Sequence, residues 1–205
     1  MQTTLSYLHA AATPLAVTPA LIKPMFPATP SGNIAVNLPH VLAALTAAGL
    51  TDTSMLLMAL ATIRTEVECF LPIAEAPSPF NTSPGGHPFD LYDHRAALGN
   101  QGPPDGSAFR GRGFVQLTGR ANYTRYAHQL SLDLVAQPAL ACEPAVAARL
   151  LAQFLANQQS PIRHALAANN LAAARRLVNG GTHGLDHFTA AYRTGETTFA
   201  KLTLA

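Results

Sequence analysis

The chain has 205 residues, 48% of them hydrophobic and only 12% charged, with 13 Lys and Arg against 11 Asp and Glu for a net charge of +2. That length and composition fit one sizeable globular domain with an appendage, exclude a disordered chain, and do not mark a nucleic-acid binder. The longest apolar run, around MLLMALATI, is too short to span a bilayer, so no membrane insertion is expected.

Residues 1–35 carry prolines at 14, 19, 24, 27 and 30. Those rings forbid a long helix, so this stretch reads as a Pro-rich N-terminal arm holding a short helix or two. It has no Lys or Arg before Lys23, and so lacks the charged start of a secretory signal. The expectation is a chain made in the cytoplasm and carried to its site of action by another system. A second unit, 36–205, holds the remaining pattern.

From Leu38 helical periodicity takes over. LPHVLAALTAAGL sets Val41, Leu42, Leu45 and Ala48 on one stripe and ends at Gly49, a C-cap signal. TDTSMLLMALATIRTEVECF opens with Thr and Asp caps and spaces Leu56, Leu57, Leu60, Ile63 and Val67 helically, with Pro72 as the stop. Residues 73–108 are punctuated by PSPF, SPGGHPF and GNQGPPDG, a long irregular region of the kind that forms a functional wall or lid. Helices return from Ala121, through EPAVAARLLAQFLANQ, PIRHALAANN and NLAAARRLVNGG to a last one around LDHFTAAYR. The outline is mainly α with one loop-rich insertion. Cys69 and Cys142 are too few for a disulfide framework and read as small apolar fillers, with a single bridge between them left open.

Two acids stand out. Glu66 borders the apolar stripe near its helix C-terminus, where scarce water and the helix dipole both favour a protonated carboxyl. A general acid needs that state. Glu75 lies beyond Pro72, where the broken helix lets the chain turn it across a cleft. A gap of about 6.5–9.5 Å between the carboxyls would admit a water, as inverting glycosidases require. Acids near a helix end are also the commonest solvated surface groups, so these two residues alone leave both readings standing.

The segment FRGRGFVQLTGRANY, residues 109–123, packs three arginines and three glycines into a chain poor in charge. Its glycines let a backbone approach a ligand closely. Gln116 and Thr118 alternate with Val115 and Leu117, which predicts a short extended run with one face lining a cleft. Arg110 and Arg112 are expected to brace that wall by pairing with acids. An RNA-binding reading needs repeats and spread basic charge, and neither is present.

GRGFVQLTGRANY resembles the signature of glycoside hydrolase family 19, the chitinase and phage-type endolysin group. TEVECF, IAEAPSPFNTSPGGHPFDLYDHR and LVNGGTHGL resemble further motifs of that family in the same order, so the resemblance covers residues 38–193. It implies a lysozyme-like, two-lobed helical fold with at most a small β-hairpin. It also implies an inverting hydrolase of β-1,4 bonds between N-acetylated sugars, needing no cofactor or metal. Carried over by position, Glu66 is the acid, Glu75 the base, and Thr118 holds the attacking water. Gln116, Asn122 and Asn179, with Arg112 and Tyr123, contact the glycan.

Three positions depart from the family pattern. Thr65 stands for a His beside the acid, Glu68-Cys69 for a Gly-Gly, and His187 for an Arg in the carboxylate network. Trp is absent, so Phe80, Tyr92, Phe109 and Tyr123 would have to stack sugars, which favours peptidoglycan over crystalline chitin. His183, Asp186 and His187 have a metal-like spacing, but Gly184 interrupts the helix and no HExxH pattern exists; His87, Asp90 and His94 are no stronger. A lytic transglycosylase using Glu66 alone, and a silent wall-binding module, are the rival classes. As a secreted effector, the chain would need a cognate inhibitor protein.

Overall fold

The computed structural model describes residues 17–203. The first part of the proposed arm, residues 1–16, lies outside them. The rest of that arm does not stand apart. Thr18 caps α1 (Pro19–Ile22), a 3-10 turn follows over Lys23–Met25, and α2 runs Ser31–Ala47. A boundary at residue 35 therefore falls inside α2, and Ile22, Met25, Phe26 and Ile34 are buried in the main core. Pro39 sits within α2, which continues through it.

α2 ends as its sequence predicts, with Gly49 at φ +69° and Leu50 N–H donating to Leu45 O at 2.9 Å. Asp52 then caps α3 (Thr53–Glu66) by accepting from Met55 N–H at 3.2 Å. Every residue from Met55 to Ile63 is buried, so α3 is apolar all round and forms the centre of the molecule. It stops at Glu66, well before Pro72, and Val67 and Phe70 leave the helix but stay in the core.

The insertion contains two short helices, α4 (Asp90–Asp93) and α5 (Asp105–Ala108). Buried polar side chains hold it together instead of an apolar core. Asn100 donates to Tyr92 O at 2.8 Å and accepts from Arg120 N–H at 2.8 Å, and Asp93 accepts from Gly106 N–H at 2.8 Å. Asp105 takes Gln101 N–H at 2.8 Å and Arg120 Nε at 2.6 Å, and the guanidinium holds its carboxyl below the ordinary range. With its polar groups satisfied in this way, a long irregular segment stays ordered.

The C-terminal half is helical: α6 (Arg120–Leu130), α7 (Pro144–Asn157), α8 (Gln159–Ala167), α9 (Leu171–Asn179) and α10 (Leu185–Thr203). α10 packs on α3, α7 on α2, and α8 on α9. Two hydrophobic clusters result. The larger surrounds α3; the smaller gathers Phe109, Leu117, Tyr123, Tyr126, Leu134, Ala141 and Leu150. Helix α7 supplies both, Leu151 and Leu155 to the first and Leu150 to the second. This is the expected two-lobed helical arrangement.

Candidate active site

The signature segment spans the two clusters. Phe114 is fully buried in the larger one, edge-on to Phe70 with ring centres 5.9 Å apart, while Phe109 and Leu117 enter the smaller. Between these anchors the chain forms a tight hairpin: Leu117 N–H donates to Arg112 O at 2.9 Å and Arg112 N–H to Leu117 O at 3.2 Å. The expected extended run is thus replaced by a turn, with Gln116 at φ +48°. The Gln116 amide closes this turn by donating to Gly113 O at 3.0 Å and to Ile73 O at 3.1 Å.

Residues 73–75 lie along the hairpin like a third strand. Gly113 N–H donates to Ile73 O at 3.0 Å and Glu75 N–H to Gly111 O at 2.8 Å, with Ala74 bridged to Arg112. That pairing sets Glu75 over Gly111. Glu75 Oε1 accepts from Asn81 Nδ2 and the Tyr92 hydroxyl, each at 2.9 Å, and Oε2 from Gly111 N–H at 3.1 Å. Burial and the adjoining Glu75 carboxylate push the Tyr92 phenol up to about 12, so it remains a donor. Asn81, completely buried, also ties Ala76 O, Ser78 N–H and the Thr82 hydroxyl.

Gly111 explains why this segment must be glycine here. A Cβ built on it would stand 2.8 Å from Gln116 Oε1, 3.2 Å from Glu75 Oε2 and 3.3 Å from Thr118 Oγ1. Three side chains therefore converge on the space a side chain would fill. The Thr118 hydroxyl donates to Gln116 O at 2.9 Å, which leaves its oxygen free to accept. Asn122, on the first turn of α6, donates to Thr118 O at 2.8 Å and joins the same group.

Glu66 is positioned from the opposite direction in sequence. Its Oε1 accepts from Arg175 Nη1 at 2.7 Å; Arg175 is only 1% exposed, the carboxylate side chain 18%. Oε2 makes no hydrogen bond among the described residues. Arg175 Nε also donates to His183 O at 3.1 Å, an oxygen shared with Asn179 Nδ2 at 3.4 Å. Gly180 ends α9 at φ +69°, as its Asn-Gly-Gly stretch predicts, and directs Asn179 toward this group. Glu66, Arg175 and Asn179 thus make one cluster, and Glu75, Gln116, Thr118 and Asn122 another.

Several expectations need correction. His187 is not the cation of the carboxylate network; Arg175 is. A sequence signal for it existed: Leu171, Ala174, Arg175 and Val178 form a helical stripe, and an arginine on an apolar stripe must find a buried partner. Arg112 and Tyr123 do not reach a glycan. Arg112 is 6% exposed and Tyr123 fully buried, and they brace the wall from behind. Arg112 Nη1 donates to Ala108 O at 2.7 Å and to the Tyr123 hydroxyl at 2.9 Å, and that hydroxyl donates to Arg110 O at 3.0 Å.

Arg110 donates to Ser107 O at 2.8 Å and lies over the Phe89 ring, so both braces work through carbonyls and rings rather than acids. Phe109 is buried too, which leaves Phe80, 89% exposed, and the half-buried Tyr92 of the four named rings. His87 pairs with Asp93 at 3.0 Å, while Asp90 holds Ser83 N–H at 2.8 Å. Cys69 and Cys142 are free and half-buried. Asn81 and Tyr92, which hold Glu75, lie in the irregular insertion, where no periodicity marks them as its partners.

No protein-family model and no curated protein matches the chain. Among solved structures it is similar to chitinase C from Streptomyces griseus HUT6037, at 21% identity over 90% of this chain and 78% of that one, TM-score 0.58. It is also similar to a bacterial family 19 chitinase whose structure and enzymatic properties differ from those of plant enzymes, at 21% identity over 87% and 94%, TM-score 0.61. A point mutant of chitinase C aligns at 21% identity over 88% and 76%, TM-score 0.58. At this identity the likeness speaks for architecture, and the chain has the lysozyme-like helical fold of the family 19 chitinases.

Proposed function

We propose that the protein is a glycoside hydrolase that cleaves β-1,4 bonds in the glycan strands of bacterial peptidoglycan, with inversion at the anomeric carbon. The convergence of Glu75 Oε2 and Thr118 Oγ1 beside Gly111, where no side chain of its own intervenes, carries this reading. A carboxylate that accepts protons and a hydroxyl oxygen that accepts a hydrogen bond suit one attacking water. Glu75 removes a proton from that water as its oxygen attacks the anomeric carbon. Glu66, steadied through Oε1, delivers a proton from Oε2 to the leaving oxygen as the glycosidic bond breaks. Gln116, Asn122 and Asn179 are assigned to sugar hydroxyl and N-acetyl groups.

Chitin is the second reading, favoured by the names of the similar structures. The scarcity of exposed rings among the described residues speaks against a long sugar-stacking cleft and toward peptidoglycan. An effector role would call for a cognate inhibitor. No helix among the described residues is long and apolar enough to cross a membrane.

Mass spectrometry of fragments from purified peptidoglycan and from chitin oligomers tests the proposal. Reducing-end disaccharide products from peptidoglycan, lost in Glu66→Gln and Glu75→Gln, are expected. Anhydro products, with activity surviving Glu75→Gln, would make it a lytic transglycosylase. Binding without cleavage would make it a silent wall-binding module.

A further inference from the structure

Beside the Glu66 cluster lies a cavity of about 650 Å³, within the size range of small-ligand sites, that the reaction above does not use. It lies between the end of α3 and the residue 182–187 segment, with Arg64, Glu68, His183, Asp186 and His187 on its walls. The two walls are in contact at their base. Gly184 is at φ +70°, and a Cβ there would stand 2.5 Å from Thr65 Cγ2, so only glycine lets this segment close on α3. The same segment offers His183 O to Arg175, which joins the cavity to the arginine that steadies Glu66.

The chemistry of the walls is ionic. Arg64 lies 2.9 Å from Glu68 Oε1, whose side chain stays 53% exposed. The Asp186 carboxylate and the His183 and His187 rings are exposed and make no hydrogen bond or ion pair among the described residues. A bare polymer of N-acetylglucosamine carries no charge and would leave these groups with nothing to recognise. The strands of peptidoglycan differ from it in one respect. Every second sugar bears a lactyl ether extended by a short peptide, which carries free carboxylates and, on its diamino acid, an ammonium group.

We propose that this cavity binds the peptide stem of the muramic acid residue next to the scissile bond. Asp186 and Glu68 receive the ammonium group, and the imidazoles of His183 and His187 donate to stem carboxylates. This deepens the peptidoglycan reading and rests on it. It makes stem recognition, rather than ring stacking, the source of substrate preference.

The test separates binding from cleavage. The Glu66→Gln protein is titrated with an N-acetylglucosaminyl-muramoyl-tetrapeptide and, separately, with a peptide-free N-acetylglucosamine trimer, while the histidine imidazole resonances are followed by NMR. Saturable shifts of His183 and His187 with the muropeptide alone are expected, and in Asp186→Asn/His187→Ala the remaining His183 shift should report binding about tenfold or more weaker. Unmoved imidazoles, or equal shifts with the trimer, would overturn the proposal.

Turnover supplies a second readout on intact strands and on strands stripped of peptides by an amidase. The wild type should prefer intact strands, and the double variant should lose that preference while keeping its rate on stripped ones. Equal preference in both proteins would also overturn the idea. Failure to cleave either strand, with the imidazole shifts present, would instead sink the hydrolase reading and leave the stem site standing.

Discussion

Replacing Arg175 by Met tests the unit that holds Glu66. The side chain is 1% exposed and its Nη1 lies 2.7 Å from Glu66 Oε1, so the change strands a partly buried carboxylate. Removing one partner of a buried pair costs about 3–5 kcal/mol, and the 18% exposure of Glu66 lets water offset part of that. The lost Nε bond to His183 O adds back about 1 kcal/mol, for a net destabilisation of roughly 3 kcal/mol. In a domain of this size that lowers Tm by about 6–12 °C, measured by calorimetry. With the acid no longer oriented, kcat should fall about 100-fold. Glu66→Gln added to Arg175→Met removes the stranded charge and should recover much of the lost stability, a coupling read from the double-mutant cycle. A Tm drop below about 2 °C, or simple additivity in the cycle, would refute the claim that this pair organises the site.

Gly111→Ala places a methyl among Glu75, Gln116 and Thr118, and should lower kcat by about 100-fold while unfolding shifts by no more than about 1 kcal/mol, because the crowded Gln116 end can move. Thr118→Ser keeps the accepting oxygen and should retain most turnover, whereas Thr118→Val should lose about 100-fold or more; equal rates for the two would remove Thr118 from the water site. Tyr92 titrates near 10 when unfolded and at about 12 when folded, so the folded state holds its proton longer. Its contribution is complete below pH 10 and is lost as pH rises through about 12. Tyr192 is pushed up to about 12 as well, so Tyr92→Phe should flatten only part of the alkaline decline in denaturant midpoint. An unchanged decline would contradict the Tyr92–Glu75 contact.

Much of the architecture was legible from short stretches. Gly49, Asp52 and Gly180 act where their neighbours predict, because caps and turns depend on a few adjacent residues. The end of α3 was not legible. Pro72 marked the last position the helix could reach, but the turn at Val67–Phe70 is set by Phe70 packing between Phe26 and Phe114. The insertion likewise showed its punctuation without its scaffold, since Asn81, Asn100 and Asp105 bond to groups that only the folded chain brings near.

The site divides in the same way. The resemblance to family 19 motifs singled out Glu66, Glu75, Gln116, Thr118 and Asn122 as candidates, whereas the two acids read by themselves left a solvated-surface reading equally open. What they touch was decided in three dimensions. Arg175 reaches Glu66 across 109 residues because α9 and α3 pack into one core, whereas Arg112 and Tyr123 turn inward because the hairpin spans two. Periodicity and capping are encoded within a turn or two of chain. The partner of a buried charge, and the face that water can reach, are settled only when distant helices meet.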